Sequence, residues 1–151
     1  KEKFIPYIIE TSIGVDRLFF ALLCDSFEEF EKGRSGQGKQ KEILLKLSPL
    51  VAPIEIAVLP LIKNHPEIVK ISREIFDSLQ KEFLCFYDEV GSIGRRYRRQ
   101  DEIGTVFAIT VDFQTLEDKT VTIRDRDTMK QIRKKIGELK DYFRENLSYF
   151  W

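Results

Sequence analysis

Apolar residues follow an irregular pattern up to Leu47 and a regular one after Pro53. In the first part, Pro6 to Ser12 reads as a strand. Ile13 to Arg17 then turns into a helix with apolar positions Leu18, Phe19, Ala21, Leu22 and Leu23. Phe27 to Lys32 is a short charged stretch with two aromatic residues. Gly33 to Lys41 is glycine-rich and polar, which predicts a flexible loop or linker. It lacks the strand-to-helix context and the G-K-[ST] ending of a phosphate-cradling loop. Glu42 to Leu47 is apolar enough for a short strand before Ser48-Pro49 and Pro53 break the chain. A domain boundary is expected there, separating residues 1–48 from 49–151.

The second part alternates strand-like and helix-like runs. Ile54 to Leu59 is a strand with Pro60 near its end. Asn64 to Phe83 is a helix with Ile68, Ile71, Ile75 and Leu79 on one stripe. Asn64 is placed to cap it, Pro66 suits its first turn, and Glu67 completes a capping-box spacing. Leu84 to Tyr87 is a short strand, and Ile93 to Ile103 a helix with Gly104 as its cap. Val106 to Val111 is a strand buried on both faces. Thr120 to Ile123 alternates, so it is half-exposed and antiparallel to its predecessor across the polar turn Asp112 to Lys119. A last helix is expected from Asp127 or Thr128, with stripe Met129, Ile132, Ile136, Leu139 and Phe143, and with Lys130, Arg133 and Lys134 on its other face. This order implies an α/β fold with a mixed β-sheet flanked by helices.

Composition narrows the function classes. The 151 residues suit one domain, or one domain with a piece of another, and 42% hydrophobic residues supply a core. Net charge is zero, so a polyanion site has to come from local segregation of charge. Cys24 and Cys85 form no C-x-x-C pair, which predicts reduced thiols and a cytoplasmic protein. His65, the only histidine, sits in a helix-start context, and no metal site is expected. No signal peptide and no membrane-length apolar run is seen.

Charge does segregate between Gly94 and Asp127. Arg95, Arg96, Arg98 and Arg99 surround Tyr97, and Arg124-Asp125-Arg126-Asp127 follows the strand Thr120 to Ile123. A hairpin places both clusters near one end of a sheet. RNA readers combine basic groups for phosphates with aromatic rings for unstacked bases. Arg95, Arg96, Arg98 and Arg99 are candidates for the backbone, Tyr87, Tyr97 and Phe113 for stacking, and Arg124 and Arg126 for base edges. Asp101, Glu102, Asp125 and Asp127 can accept from the N4 amino group of cytosine. Each has a structural alternative. Arg98 and Glu102 can pair with each other, Asp125 and Asp127 can cap a helix, Tyr97 can be core, and the whole face can be merely solvated.

The stretch IETSIGVDRLFFALL resembles motif 3 of the class II aminoacyl-tRNA synthetases, and its E-x-S-x-G-x-x-R form resembles the glycyl-tRNA synthetases. The segments APIEIAVLPL, YDEVGSIGRRYRRQDEIGT and ITVDFQTLEDKTVTIRDRD resemble that family's anticodon-binding domain, in the family's order. The resemblance implies that Glu10 and Ser12 face the glycine substrate and Arg17 the ATP triphosphate. A carboxylate pairs with an ammonium, and a guanidinium grips phosphate oxygens in pairs.

It further implies a glycine–tRNA ligase as parent, homodimeric and cytoplasmic, using ATP and magnesium and binding the anticodon stem-loop of tRNA-Gly. Motif 1 and the F-R-x-E of motif 2 have no counterpart here, so the chain resembles the C-terminal part of such an enzyme and is expected to be inactive alone, without a cofactor of its own. The alternative is a non-catalytic accessory domain of synthetase descent.

Overall fold

The computed structural model describes residues 3–34 and 41–147. Six residues of the expected linker, 35–40, lie outside them. Residues 3–14 carry no secondary structure, and helix α1 (Val15–Ser26) follows. The strand expected over Pro6 to Ser12 is therefore not formed. A strand must pair its backbone groups, and neither sheet among the described residues offers this run a neighbour. Its apolar side chains stand in solvent, Ile9 at 94% exposure, and Phe19 and Phe20 of α1 are exposed as well. Strands β1 (Phe27–Phe30) and β2 (Glu42–Leu45) pair as an antiparallel ribbon, Phe27 opposite Leu45.

The main sheet is built from β3 (Ile56–Pro60), β4 (Cys85–Tyr87), β5 (Phe107–Val111), β6 (Thr120–Asp125) and β7 (Gln131–Lys135). Helix α2 (Pro66–Leu79) joins β3 to β4, and α3 (Ile93–Ile103) joins β4 to β5. The strand order is β4-β3-β5-β6-β7. The first three strands in that order run parallel, and β6 and β7 are added antiparallel. A short helix, α4 (Phe113–Asp118), links β5 to β6, and α5 (Leu139–Leu147) closes the described chain.

Side chains alternate across each strand, and the two faces differ. Ile56, Val58, Phe107, Ile109, Val121 and Ile123 join Ile68, Ile75 and Leu79 of α2 and Leu139, Phe143 and Leu147 of α5 in the main core. Each such large side chain contributes about 1.5–3 kcal/mol when fully buried. The opposite face carries small residues, Ala57 and Ala108, beside Leu59, and against them pack Ile93 and Tyr97 of α3. Small side chains let α3 lie close to the sheet, within reach of polar groups on β5 and β6.

Three expectations are corrected. Asn64 does not cap α2; His65 is the N-cap residue and makes no side-chain cap bond, while Pro66 opens the first turn. The polar turn Asp112 to Lys119 is α4, because Asp112 and Thr115 satisfy each other's backbone amides in a capping box. The last helix begins at Leu139 rather than near Asp127. Asp125 accepts from both the amide and the hydroxyl of Thr128, Met129 takes a left-handed φ of 57°, and a hairpin results in which Arg124 faces Gln131. Only Leu139 and Phe143 of the expected stripe are buried, while Met129 and Ile132 are exposed.

Candidate nucleic-acid interface

Helix α3 is polar on nearly every side, so its orientation is set by hydrogen bonds as much as by apolar burial. At about 100° per residue, Arg96 and Gln100 fall near one another, as do Tyr97 and Asp101. Arg96, Gln100 and Asp101 are the buried residues of the helix. Arg96 is 2% exposed, and its guanidinium donates to the carbonyls of Pro60, Leu61 and Asp88 at the carboxyl ends of β3 and β4. Burial pulls its pKa down, against the raising effect of Asp88. The phosphate contact expected of Arg96 is thus corrected: this arginine closes the sheet from inside.

Tyr97 and Asp101 face β5 and β6. The Tyr97 hydroxyl is hydrogen-bonded to the Thr110 hydroxyl, and burial pushes its pKa up. Asp101 accepts both terminal nitrogens of Arg124, at 2.8 and 2.9 Å, a bidentate pair. The Arg124 guanidinium also lies 4.8 Å over the Tyr97 ring. Arg126 donates to the Gly104 carbonyl at 2.8 Å and to Asp127 at 2.7 Å. Arg124 and Arg126 are 7% and 3% exposed, so neither presents an open fork to a base edge, contrary to expectation. Asp125 closes the β6–β7 turn and Asp127 serves Arg126.

Between these elements lies a cleft of about 450 Å³. Helix α3 contributes Arg95, Tyr97, Arg98 and Asp101; β6 contributes Arg124; and the β6–β7 turn contributes Met129. The ribbon contributes Glu42 and Ile43, and the turn after β1 contributes Arg34. Four guanidinium groups thus meet two carboxylates in a chain whose net charge is zero. Arg95 is exposed and Arg98 half-buried. Nothing in the local pattern around Arg34, Glu42 or Met129 marked them for this place; tertiary packing alone brings them in.

Other sequence candidates lie elsewhere. Tyr87 is on the α2 side, with the Arg73 guanidinium 3.6 Å from its ring centre; burial, helped by Glu89, raises its pKa to about 12. Phe113 opens α4 and meets His65 edge-on. Arg99 binds Asp88 and the Val90 carbonyl, and Glu102 is exposed. Glu10, Ser12 and Arg17 are exposed in and just after the unpaired segment and do not line the cleft. Among the described residues no group of three or more His, Cys, Asp or Glu side chains could hold a metal ion. No helix among them is long and apolar enough to cross a membrane.

Residues 55–146 match the family described as "Anticodon binding domain". The chain belongs to that family. The matched span takes in β3 through most of α5 and leaves the ribbon outside. As an anticodon binding domain it has relatives in longer proteins. It is 49% identical over 148 residues to a glycine–tRNA ligase of Ruminiclostridium cellulolyticum, covering 98% of this chain and 30% of that protein. It is 46% identical over 148 residues to a glycine–tRNA ligase of Bacillus anthracis, covering 98% of this chain and 31% of that one. The chain therefore spans less than a third of the length of these relatives. A prolyl-tRNA synthetase structure from Cryptosporidium parvum aligns with a TM-score of 0.64 at 26% identity, over 68% of this chain and 22% of that one.

Proposed function

We propose that the chain reads the anticodon loop of a glycine-accepting tRNA as one part of a glycine–tRNA ligase. The observation that carries this is that Arg95 and Arg98 line one cleft of an anticodon binding domain, with Tyr97 and the Asp101-bound Arg124 in its wall. Phosphates of the loop meet the exposed Arg95 and, beside it in the cleft, the half-buried Arg98. Glu42 is the cleft's less committed carboxylate and accepts from the N4 amino group of a cytosine. Asp101 is already shared by two guanidinium groups and keeps the wall in place instead.

In the whole ligase, Glu10 and Ser12 would face glycine and Arg17 the triphosphate of ATP. That enzyme forms glycyl-adenylate with ATP and magnesium, then esterifies the tRNA, as a cytoplasmic homodimer. This chain's own share is recognition.

The test is fluorescence anisotropy with an anticodon stem-loop RNA at several salt concentrations. Wild-type chain should bind in a salt-sensitive way and prefer the cytosine loop over its uracil variant. Arg95→Ala should flatten the salt slope by about 0.7, the value for one lost single-strand phosphate contact. An unmeasurable wild-type affinity at low salt would remove this reading.

A further inference from the structure

The cleft has a wall outside the matched family segment. That segment begins at residue 55, whereas Glu42 and Ile43 come from β2 of the ribbon and Arg34 from the turn that follows β1. The Arg34 side chain is as buried as that of Asp101, both at 8% exposure. Its guanidinium donates to the Asp101 carboxylate and to the Arg126 carbonyl, and its backbone amide donates to Glu42 at 3.1 Å. One carboxylate therefore holds two guanidinium groups, Arg34 from the turn after β1 and Arg124 from β6. A second contact fixes the ribbon's far end. A Cβ on Gly104, which caps α3 at φ +84°, would meet the Leu45 carbonyl and a Leu47 methyl at 3.0 Å each. The ribbon is thus seated against α3 at two places and does not hang on a tether.

We propose that the β1–β2 ribbon is a fixed wall of the RNA cleft and that Arg34 is the positioning residue that locks it to the Asp101–Arg124 pair. The inference rests on the RNA-reading assignment above. Arg34 spends its donors on Asp101 and the Arg126 carbonyl, and its Nε lies 3.6 Å from the Glu42 carboxylate, so it acts through the wall and not through a phosphate. Its removal leaves Asp101 held by Arg124 alone and frees the wall that presents Glu42 and Ile43. A lysine keeps the charge but cannot span two acceptors as a planar fork.

The experiment compares wild-type, Arg34→Ala, Arg34→Lys and Arg95→Ala chains in salt titrations with the same stem-loop RNA. Arg34→Ala should lose about tenfold in affinity with the salt slope unchanged. Arg34→Lys should recover less than half of the loss on a logarithmic scale. Amide exchange in β5 and β6 should stay at the wild-type level in both variants. Unchanged affinity in Arg34→Ala overturns the proposal. So does a slope flattened as in Arg95→Ala, which would make Arg34 a phosphate ligand. Full recovery by lysine, or loss of protection in the sheet, overturns it too. If wild type binds and Arg95→Ala weakens it while Arg34→Ala does not, only the ribbon inference falls. If wild type does not bind, both readings fall.

Discussion

The buried and open sides of α3 carry the same residue type and do different things with it. Arg96 lies inside, bonded to three backbone carbonyls. Arg95, its neighbour in sequence, is exposed and lines the cleft. A turn of about 100° separates them, and that turn decides whether a guanidinium holds the fold together or is available to a ligand. On the buried side Asp101 is held by Arg124 and Arg34, Tyr97 by Thr110, and Gln100 by the Thr105 hydroxyl, while the Arg96 Nε is left without a hydrogen-bond partner among the described residues. The open side presents charge to water. Arginine content alone therefore overstates a binding surface, and the inward arginines have to be subtracted before the outward ones are weighed.

Asp101→Asn should break the buried side most. It neutralises the one carboxylate that holds two nearly buried guanidinium groups. Removing one partner of a buried pair destabilises by roughly 3–5 kcal/mol, because the remaining charge is left without compensation. Urea denaturation of the chain measures this. A loss below about 1 kcal/mol would mean that water reaches the cluster and that the buried side is not buried in the energetic sense.

Arg96→Ala should follow closely. Three carbonyls lose their donor, and each unsatisfied buried group costs roughly 1–3 kcal/mol. Relaxation and water entry reduce the total to about 3 kcal/mol. Arg96→Lys should recover less than half, since an ammonium on a flexible stem does not reproduce the planar fork. Equal stability of the alanine and wild-type chains would remove the distinction between Arg96 and Arg95.

Parts of this arrangement were legible in the sequence. The helix Ile93 to Ile103 and its Gly104 cap are found as expected, since left-handed backbone at that position favours glycine. The strand expected over Val106 to Val111 is found as Phe107–Val111 and is buried on both faces, as a continuous apolar run requires. Which side of α3 turns inward was not legible, because its buried residues are polar and an apolar stripe is what periodicity detects. The final helix was placed too early for a related reason. Ile132, Ile136, Leu139 and Phe143 keep a helical spacing across a break that only the Asp125–Thr128 turn and the pairing of β7 with β6 impose. The ribbon's share in the cleft depends on contacts between residues such as Arg34 and Asp101, 67 positions apart in the chain, which no local pattern carries.

The smallest expected effect is on the open side. Arg95 is exposed, and substitutions at such surface positions usually stay within about 0.5 kcal/mol. Arg99 binds Asp88, but its own side chain is 45% exposed. A pair with one partner in water is screened and contributes about 0–1 kcal/mol. Arg99→Ala should therefore cost slightly more stability than Arg95→Ala, and both far less than Arg96→Ala. The order matters more than the values, because the three residues share one helix and one side-chain chemistry and differ in orientation. Denaturation curves at low and high salt separate them further. The Arg99 contribution should shrink as salt rises, while the deficit of Arg96→Ala should persist, since salt does not screen a buried donor from its carbonyls. If Arg95→Ala were as destabilised as Arg96→Ala, the open side would be part of the fold's support, and the cleft would lose its claim to be a surface kept for a ligand.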